Sequence, residues 1–309
     1  MSRINRQAIV RGPGTVKVGS ISLYDASGIT AEVATPTQEI PSSLVGPLDT
    51  IKTDQTATIQ LTPVGEVTSD ILSLLFPHQS PVLGSSIFGS SDTALIVHSR
   101  AGTKVTFSAA ALTGIPELRL SPVQTPFGQA TFTAIVGNGK LPTDTDAVYK
   151  AETATYNGGN PDPTKLMTGK VYTASWGSLD IDDTVNGFTV TVEPAFEDVT
   201  DDSAGTIDKT LSGLTVRARC QPLGLSESQI LAALHGPAAR GSSIASANDL
   251  VITAEGGLTV TLKNAALVTG PIQWGNATLR AGELGFVAHI DLTSGKLYEV
   301  AITPSQSQA

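Results

Sequence analysis

Four histidines and one cysteine are the residues best suited to catalysis or metal binding. The histidines are His78, His98, His235 and His289. None has another His, Cys, Asp or Glu at the spacing along one helix or strand that a metal site needs. Cys220 alternates with apolar residues, which predicts a small core side chain. A single cysteine also excludes an intrachain disulfide.

Acidic clusters and a glycine corner are the other candidates for binding chemistry. The acidic clusters are Asp180, Asp182 and Asp183, and Asp198, Asp201 and Asp202. Neither has the spaced carboxylates and closing Glu of a calcium loop, so we interpret both as solvated loop acids. Gly65 lacks the Lys-Ser/Thr pair of a phosphate-binding loop. The sequence therefore predicts neither an enzyme nor a cofactor.

The chain is organised around a strand end, a Pro-x-Gly corner and a short helix, and this unit occurs twice. The first copy covers residues 62–77 and the second residues 221–237. Matching residues keep one order along the chain: Gly46 and Gly205, Asp49 and Asp208, Gly65 and Gly224, Ser69 and Ser228, Leu75 and Leu234, and Gly84-Ser85-Ser86-Ile87 and Gly241-Ser242-Ser243-Ile244. The repeat predicts one domain present twice.

Most remaining segments alternate apolar and polar residues, which is typical of half-buried β-strands. In residues 56–61, Ala57, Ile59 and Leu61 share one face, and Val216, Ala218 and Cys220 occupy the matching face in the second copy. We predict a mainly β protein of two tandem β-sandwich or barrel domains, each with one short helix. The predicted first domain is 1–136, with a basic N-terminal arm; a linker covers 137–168, and the second domain is 169–309.

Composition limits the classes of function. The 309 residues carry a net charge of −9, which argues against a basic nucleic-acid binder. Only 15% of residues are charged, so we expect much of the surface to be buried against other copies. A secreted β-protein with a hydroxyl-rich surface is the alternative. The start lacks a signal-peptide pattern and no apolar run is long enough for a membrane span, so we expect synthesis in a cytoplasm and no membrane insertion.

Short runs across nearly the whole chain resemble the major tail tube proteins of long-tailed, siphovirus-like bacteriophages. These runs are residues 62–65, 83–89, 110–116, 132–133, 161–164 and 172–177. The resemblance implies tandem tail-tube-type domains and a structural protein of the virion tail, without catalytic activity. Proteins of this family form rings whose inner strands join in one β-barrel. The rings stack into a tube through which DNA passes into the host.

The resemblance also implies partners. Single-domain members build rings of six copies, so two domains per chain predict a trimeric, pseudo-hexameric ring. A ring of six chains is the alternative. Stacked rings would contact the tape measure, terminator and distal tail proteins, and genomic DNA would occupy the lumen transiently. Two other functions stay open: a tail hub or distal tail protein, and a tandem β-sandwich binding module. Scattered aromatic residues, 5% of the chain, disfavour the binding module.

Two surfaces follow from the resemblance. The predicted lumen face is the polar strand face that carries Thr30, Glu32, Asp54, Thr56, Thr58, Gln60, Thr215, Arg217 and Arg219. The predicted contact between stacked rings joins a basic arm to an acidic loop. Its residues are Arg3, Arg6, Arg11, Glu193, Glu197, Asp198, Asp201 and Asp202.

Overall fold

The computed structural model describes residues 14–89, 93–136, 148–167, 169–201, 205–223, 225, 227–233, 240–242, 248–270 and 282–302. The described residues are 56% strand and 7% helical, which confirms the predicted mainly β class, and their sheets are arranged as propeller-like blades. No helix in these ranges has the length and apolar character needed to cross a membrane.

In the described ranges, the elements before residue 154 are β1 (Gly14–Val18), β2 (Ile21–Tyr24), β3 (Thr30–Ala34), β4 (Thr37–Ser42), β5 (Gly46–Lys52), β6 (Thr56–Leu61), α1 (Ser69–Leu75), β7 (Leu95–Ser99), β8 (Thr103–Phe107), β9 (Ala109–Gly114), β10 (Leu118–Leu120), β11 (Ala130–Ile135) and β12 (Tyr149–Thr153). The later elements are β13 (Val171–Trp176), β14 (Leu179–Asp180), β15 (Thr184–Asp201), β16 (Gly205–Pro222), α2 (Glu227–Ala233), β17 (Leu250–Ala254), β18 (Leu258–Leu262), β19 (Ala266–Thr269), β20 (Leu284–Val287) and β21 (Tyr298–Ile302). Short 3₁₀ turns occupy Pro163–Lys165 and Glu255–Gly257.

The strand order of the first half of the chain recurs in the second half. The sheet β12-β8-β7-β1-β2 matches β21-β18-β17-β13-β14, strand for strand. The sheet β3-β6-β11-β9 matches β15-β16-β20-β19 in the same way, and β10 adds a fifth strand beside β15. The β4–β5 hairpin of the first half corresponds to the outer part of the long β15–β16 hairpin.

The pairing register recurs as well. Ala31 lies opposite Ile59, and the matching residues Val190 and Ala218 lie opposite each other. A β-bulge between Ile40 and Pro41 in β4 recurs between Val199 and Thr200 in β15. Bulges interrupt pairing at fixed places, so their recurrence supports a repeat at the level of single residues.

The predicted alternation agrees with the burial of the strands. Ala57, Ile59 and Leu61 are buried on β6, as are Val216, Ala218 and Cys220 on β16. The Trp176 ring on β13 packs 5.6 Å from the Phe286 ring on β20, which ties together the two sheets of the second half. Burial of these apolar faces provides the main stabilising term of the fold.

The Cys220 thiol is expected to be inert in the folded protein. Its exposed fraction is 3%, and burial, together with the nearby Glu283 carboxylate, raises the pKa of Cys220 to about 12. At pH 8 the reactive thiolate is therefore almost absent. Ellman's reagent should label the protein only after denaturation; fast stoichiometric labelling of the native protein would contradict this environment.

Part of the predicted linker, residues 137–168, pairs with the first half of the chain. Within it, β12 pairs with β8 in the first sheet, just as β21 pairs with β18 in the second. The backbone N–H of Met167 donates to the Gly65 carbonyl at 2.8 Å. Most of residues 148–167 is therefore built onto the first half, and β12 has a counterpart near the end of the chain that the sequence reading missed.

Candidate assembly interface

A strand of the first half joins the two repeated sheets edge to edge. β9 ends at Gly114, and the chain then enters β10, which pairs with β15 through the pairs Leu118–Val190, Arg119–Thr189 and Leu120–Phe188. β9 is the edge of one four-stranded sheet, so the β9–β10 segment bridges that sheet to its repeat. We call this contact between the halves the joint.

Gly187 is required at the joint because the backbone there approaches very closely. Its φ is +76°, and a Cβ added at this position would lie 1.9 Å from the carbonyl oxygen of Leu120. Only glycine fits both conditions. The Gly187 N–H donates to the Thr184 hydroxyl at 3.0 Å, which fixes the turn that leads into the paired stretch of β15.

Gly28 is the repeat counterpart of Gly187, yet its surroundings are open. Its φ is +119°, and its N–H donates to the Asp25 carboxylate three residues earlier, as Gly187 does to Thr184. An added Cβ at Gly28 meets none of the described atoms within 4 Å. In the described ranges β3 pairs with β6 alone. On its repeat counterpart β15, the other edge pairs with β10, and in those ranges the matching edge of β3 has no partner strand.

The outer part of the β15–β16 hairpin forms the second element of the joint. The Ser86 hydroxyl donates to Asp208 Oδ1 at 2.9 Å. The Ile87 N–H donates to the Lys209 carbonyl at 3.0 Å, and the Leu211 N–H to the Ser85 carbonyl at 3.0 Å. These bonds extend the hairpin by a short antiparallel segment taken from the first half of the chain.

β21 forms the third element of the joint. The Tyr298 hydroxyl donates to the Pro77 carbonyl just after α1, and the Leu297 N–H donates to the Gln79 carbonyl at 2.9 Å. Tyr298 is 0% exposed, and burial raises its pKa. Its counterpart at the start of β12, Tyr149, is 39% exposed.

In the second half, β15, the outer β15–β16 hairpin and Tyr298 contact the first half at the joint. The matching surface of the first half is exposed. We call it the open face; it consists of β3, the β4–β5 hairpin and Tyr149. All residues of β3 and nearly all of β4 and β5 are exposed. Its exposed large apolar side chains are Val33, Ile40, Leu44, Val45, Leu48, Ile51 and Tyr149. A long uncovered edge with an apolar patch is unusual for a monomer and typical of an interaction surface.

The predicted lumen residues lie on the polar faces of the two matching sheets. Thr30 pairs with Gln60 and Glu32 with Thr58, while Thr56 lies on the same face of β6. On β16, Thr215 is partly exposed and Arg217 and Arg219 are exposed. Thr30, Glu32, Thr56, Thr58 and Gln60 therefore share one face of the first sheet, and Thr215, Arg217 and Arg219 share one face of β16.

Asp54 is the exception among the predicted lumen residues. The structure places it between β5 and β6, where its Oδ2 accepts a hydrogen bond from the Thr206 hydroxyl at 2.9 Å. Asp54 therefore belongs to the joint. The strand alternation did not extend to this residue because Asp54 lies outside both strands.

Acidic partners accompany Arg219 and Arg119 on the polar face of the second sheet. Arg219 lies 3.7 Å from Glu283. Arg119 on β10 lies on the same face as Thr189 and pairs with Glu117 at 2.8 Å. Sequence reasoning missed Arg119; its only signal was the alternating Leu-Arg-Leu triplet. Exposed pairs contribute little stability, so their main effect here is on local charge.

The predicted contact between stacked rings stays a prediction. Arg3, Arg6, Arg11 and Asp202 lie outside the described residues. Glu193, Glu197, Asp198 and Asp201 lie on exposed positions of β15. Asp198 forms an ion pair with Lys209 inside the same hairpin, so one of the proposed acids already has a partner.

The described ranges contain few features of a metal site or a catalytic site. There, no group of three His, Cys, Asp or Glu side chains is placed to hold a metal ion. His98 is buried and its ring lies 5.2 Å from that of Tyr156, while burial lowers the pKa of His78. Both environments suit packing roles. No protein-family model matches the chain, and no curated protein sequence matches it either.

Proposed function

We propose that this chain is a structural tail tube protein of a long-tailed bacteriophage, with a tandemly duplicated tube domain. Copies associate head to tail into rings, and the rings stack into a tube that conducts DNA. The observation that carries the proposal is the open face: it matches, element by element, the surface that the second half buries in the joint. This match supports a second copy of the chain as the partner of the open face.

Head-to-tail contacts between identical copies either close into a ring or continue as a filament. In this chain the contact is present once already, between the two halves. Repeating it between chains would pair the β3 edge with a strand of another copy. Closing the sheets into a barrel removes the exposed edges and so protects the strands against uncontrolled aggregation.

The polar face described above suits a DNA channel. Its hydroxyl and amide side chains, Thr30, Thr56, Thr58 and Gln60, carry no charge. A strongly basic lumen would bind phosphates through counterion release and hold the DNA. Pairing of Arg219 with Glu283 at 3.7 Å reduces that attraction on the second sheet.

Electron microscopy of the concentrated purified protein tests this function. Negative-stain images should contain rings and hollow tubes, and sedimentation velocity should reveal species that grow with concentration. Discrete rings that never stack would instead favour a tail hub. A monomer at all concentrations, under both low and high salt, would contradict the proposal.

A further inference from the structure

We propose that Pro47 of one copy docks against Gly213 of the next copy, at the place that corresponds to the contact of Thr206 with Asp54 inside the chain. The two contacts differ in chemistry, and the difference decides which hairpin occupies which position. The inference rests on the proposed function only in requiring that copies associate head to tail. It adds the residues that determine the specificity of that association.

The contact inside the chain places the turn of the β15–β16 hairpin on a carboxylate. The Thr206 side chain is buried, and its hydroxyl donates to Asp54 Oδ2 at 2.9 Å. Asp54 Oδ1 accepts the N–H of Gln55 at 2.6 Å, so both oxygens of the carboxylate have a donor. A Cβ added at Gly205 would lie 2.5 Å from Asp54 Oδ1. The hairpin turn therefore approaches Asp54 so closely that its first strand residue has to be glycine.

Gly213 occupies the position of Asp54 in the second half of the chain. The strand pairs that flank the two positions correspond: Thr37–Lys52 and Ala34–Thr56 in the first half, and Phe196–Leu211 and Glu193–Thr215 in the second. Residues 53–55 lie between the flanking pairs of the first half, and residues 212–214 lie between those of the second. Asp54 and Gly213 are the middle residues of these two segments, so they are structural counterparts.

Neither backbone conformation nor packing inside the chain requires glycine at position 213. Its φ lies outside the left-handed region, and among the described atoms an added Cβ would meet only the Ala195 Cβ, at an ordinary 3.6 Å. A β-bulge lies beside it, between Ala195 and Phe196, but the bulge type that needs glycine holds it at positive φ. A glycine inside a strand weakens the strand and often marks the close approach of another backbone. Gly213 therefore leaves room for a group from outside the chain.

Pro47 is the hairpin residue that fits this room. It has the register position in the β4–β5 hairpin that Thr206 has in the β15–β16 hairpin, directly after the turn glycine. Pro47 is exposed, and proline carries no hydrogen-bond donor. Gly213 correspondingly offers no side-chain acceptor. Donor and acceptor are thus present together in the contact inside the chain and absent together in the contact between chains.

This difference keeps the two hairpins at their own positions. Pro47 placed against Asp54 would leave Oδ2 without a donor, and Thr206 placed against Gly213 would lose its acceptor. A polar group that loses its partner on burial costs free energy, so each exchange is unfavourable. The β15–β16 hairpin therefore docks within the chain and the β4–β5 hairpin on the next copy. A second copy does not displace the internal hairpin, and the association closes in one order.

A carboxylate introduced at position 213 tests the contact. Gly213→Asp should raise the concentration needed for assembly at least about tenfold, because Pro47 has no donor for the new carboxylate. Gly213→Asp/Pro47→Thr should return that concentration to within about threefold of the wild-type value, since the two residues then copy Asp54 and Thr206. Pro47→Thr alone should change assembly little. Ser212→Asp is the matched control: it adds the same charge at the exposed neighbouring residue and should assemble normally.

Mixing two variants tests whether the contact joins different chains. Labelled Gly213→Asp protein should join oligomers of unlabelled Pro47→Thr protein several times more than oligomers of the wild type, because only the former supplies a donor from a neighbouring copy. Thermal unfolding of the dilute monomers should give similar midpoints for Gly213→Asp and Ser212→Asp, since a Cβ at position 213 makes only an ordinary contact inside the chain.

Two results would overturn the contact of Pro47 with Gly213. One is normal assembly of Gly213→Asp. The other is an assembly defect that Pro47→Thr relieves neither in the same chain nor in the mixture. In both cases tubes of the wild-type protein would leave the tube function standing. Failure of the wild-type protein to assemble at all would overturn both proposals.

Discussion

The Gly28→Ala variant is expected to fold as a monomer and to fail to assemble. Gly28 corresponds to Gly187, whose added Cβ would lie 1.9 Å from the Leu120 carbonyl oxygen across the joint. Cβ atoms essentially never approach another heavy atom closer than 3.0 Å, so no strand can seat in the same way against alanine. The partner strand of another copy would meet this obstacle at β3. Sedimentation velocity of the variant should therefore show monomer at concentrations where the wild type assembles.

Two further variants, Gly19→Ala and Gly187→Ala, separate the steric effect of the added Cβ on assembly from the cost of backbone strain. A non-glycine residue at positive φ costs about 1–3 kcal/mol, and this cost applies to Gly28→Ala, Gly187→Ala and Gly19→Ala alike. Gly19, in the turn after β1, has φ +57° and an open surrounding among the described atoms. Gly19→Ala should lose stability but still assemble. Gly187→Ala should lose the most stability, because it disrupts the joint inside the chain.

Thermal unfolding of the monomeric variants provides the second readout. Gly28→Ala and Gly19→Ala should show similar decreases in midpoint, and Gly187→Ala a larger one. Normal assembly of Gly28→Ala would show that β3 does not receive a strand in the way β15 does, and the open face would lose its strongest support.

The sequence predicted those features that depend on one element at a time. The alternation at Ala57, Ile59 and Leu61 identified both the buried face and the polar face of β6, because a half-buried strand imposes period two. The helix at 69–75 followed from apolar spacing and the stop at Pro77, and the structure adds Thr68 as its N-cap. The polar-face residues, Asp54 excepted, were found in this way.

The features that the sequence did not predict depend on pairing between distant segments. β10 has three residues, too few for a periodic signal, and its strand character comes from the β15 edge. All five residues of β12 are exposed, so it lacks an apolar face to mark it, and its pairing with β8 defines it. The joint itself lies between segments far apart in sequence, so no local pattern could indicate it.

A ring of this protein is expected to contain three chains. Each chain supplies two sets of four strands in matching order, connected through the β9–β10 segment, and in the described ranges β3 is an edge strand. If the contact between chains copies the joint, every sheet in the ring is related to the next by about the same rotation. Six such sheets, as in the six-copy rings of the resembled family, then require three chains and give a pseudo-sixfold axis.

Cross-linking and cryo-electron microscopy decide the number independently. Limited chemical cross-linking of isolated rings should progress to a covalent trimer and stop there, because the third link closes the ring. A product series that continues to six would indicate a six-chain ring in which only one sheet of each chain faces the lumen. In that arrangement only one of the two repeated sheets of each chain would face the lumen. Yet β6 and β16 both alternate buried and polar residues. A three-dimensional reconstruction with six chains around the axis would refute the trimer, whereas three chains would make the joint inside one chain the repeating contact of the whole tube.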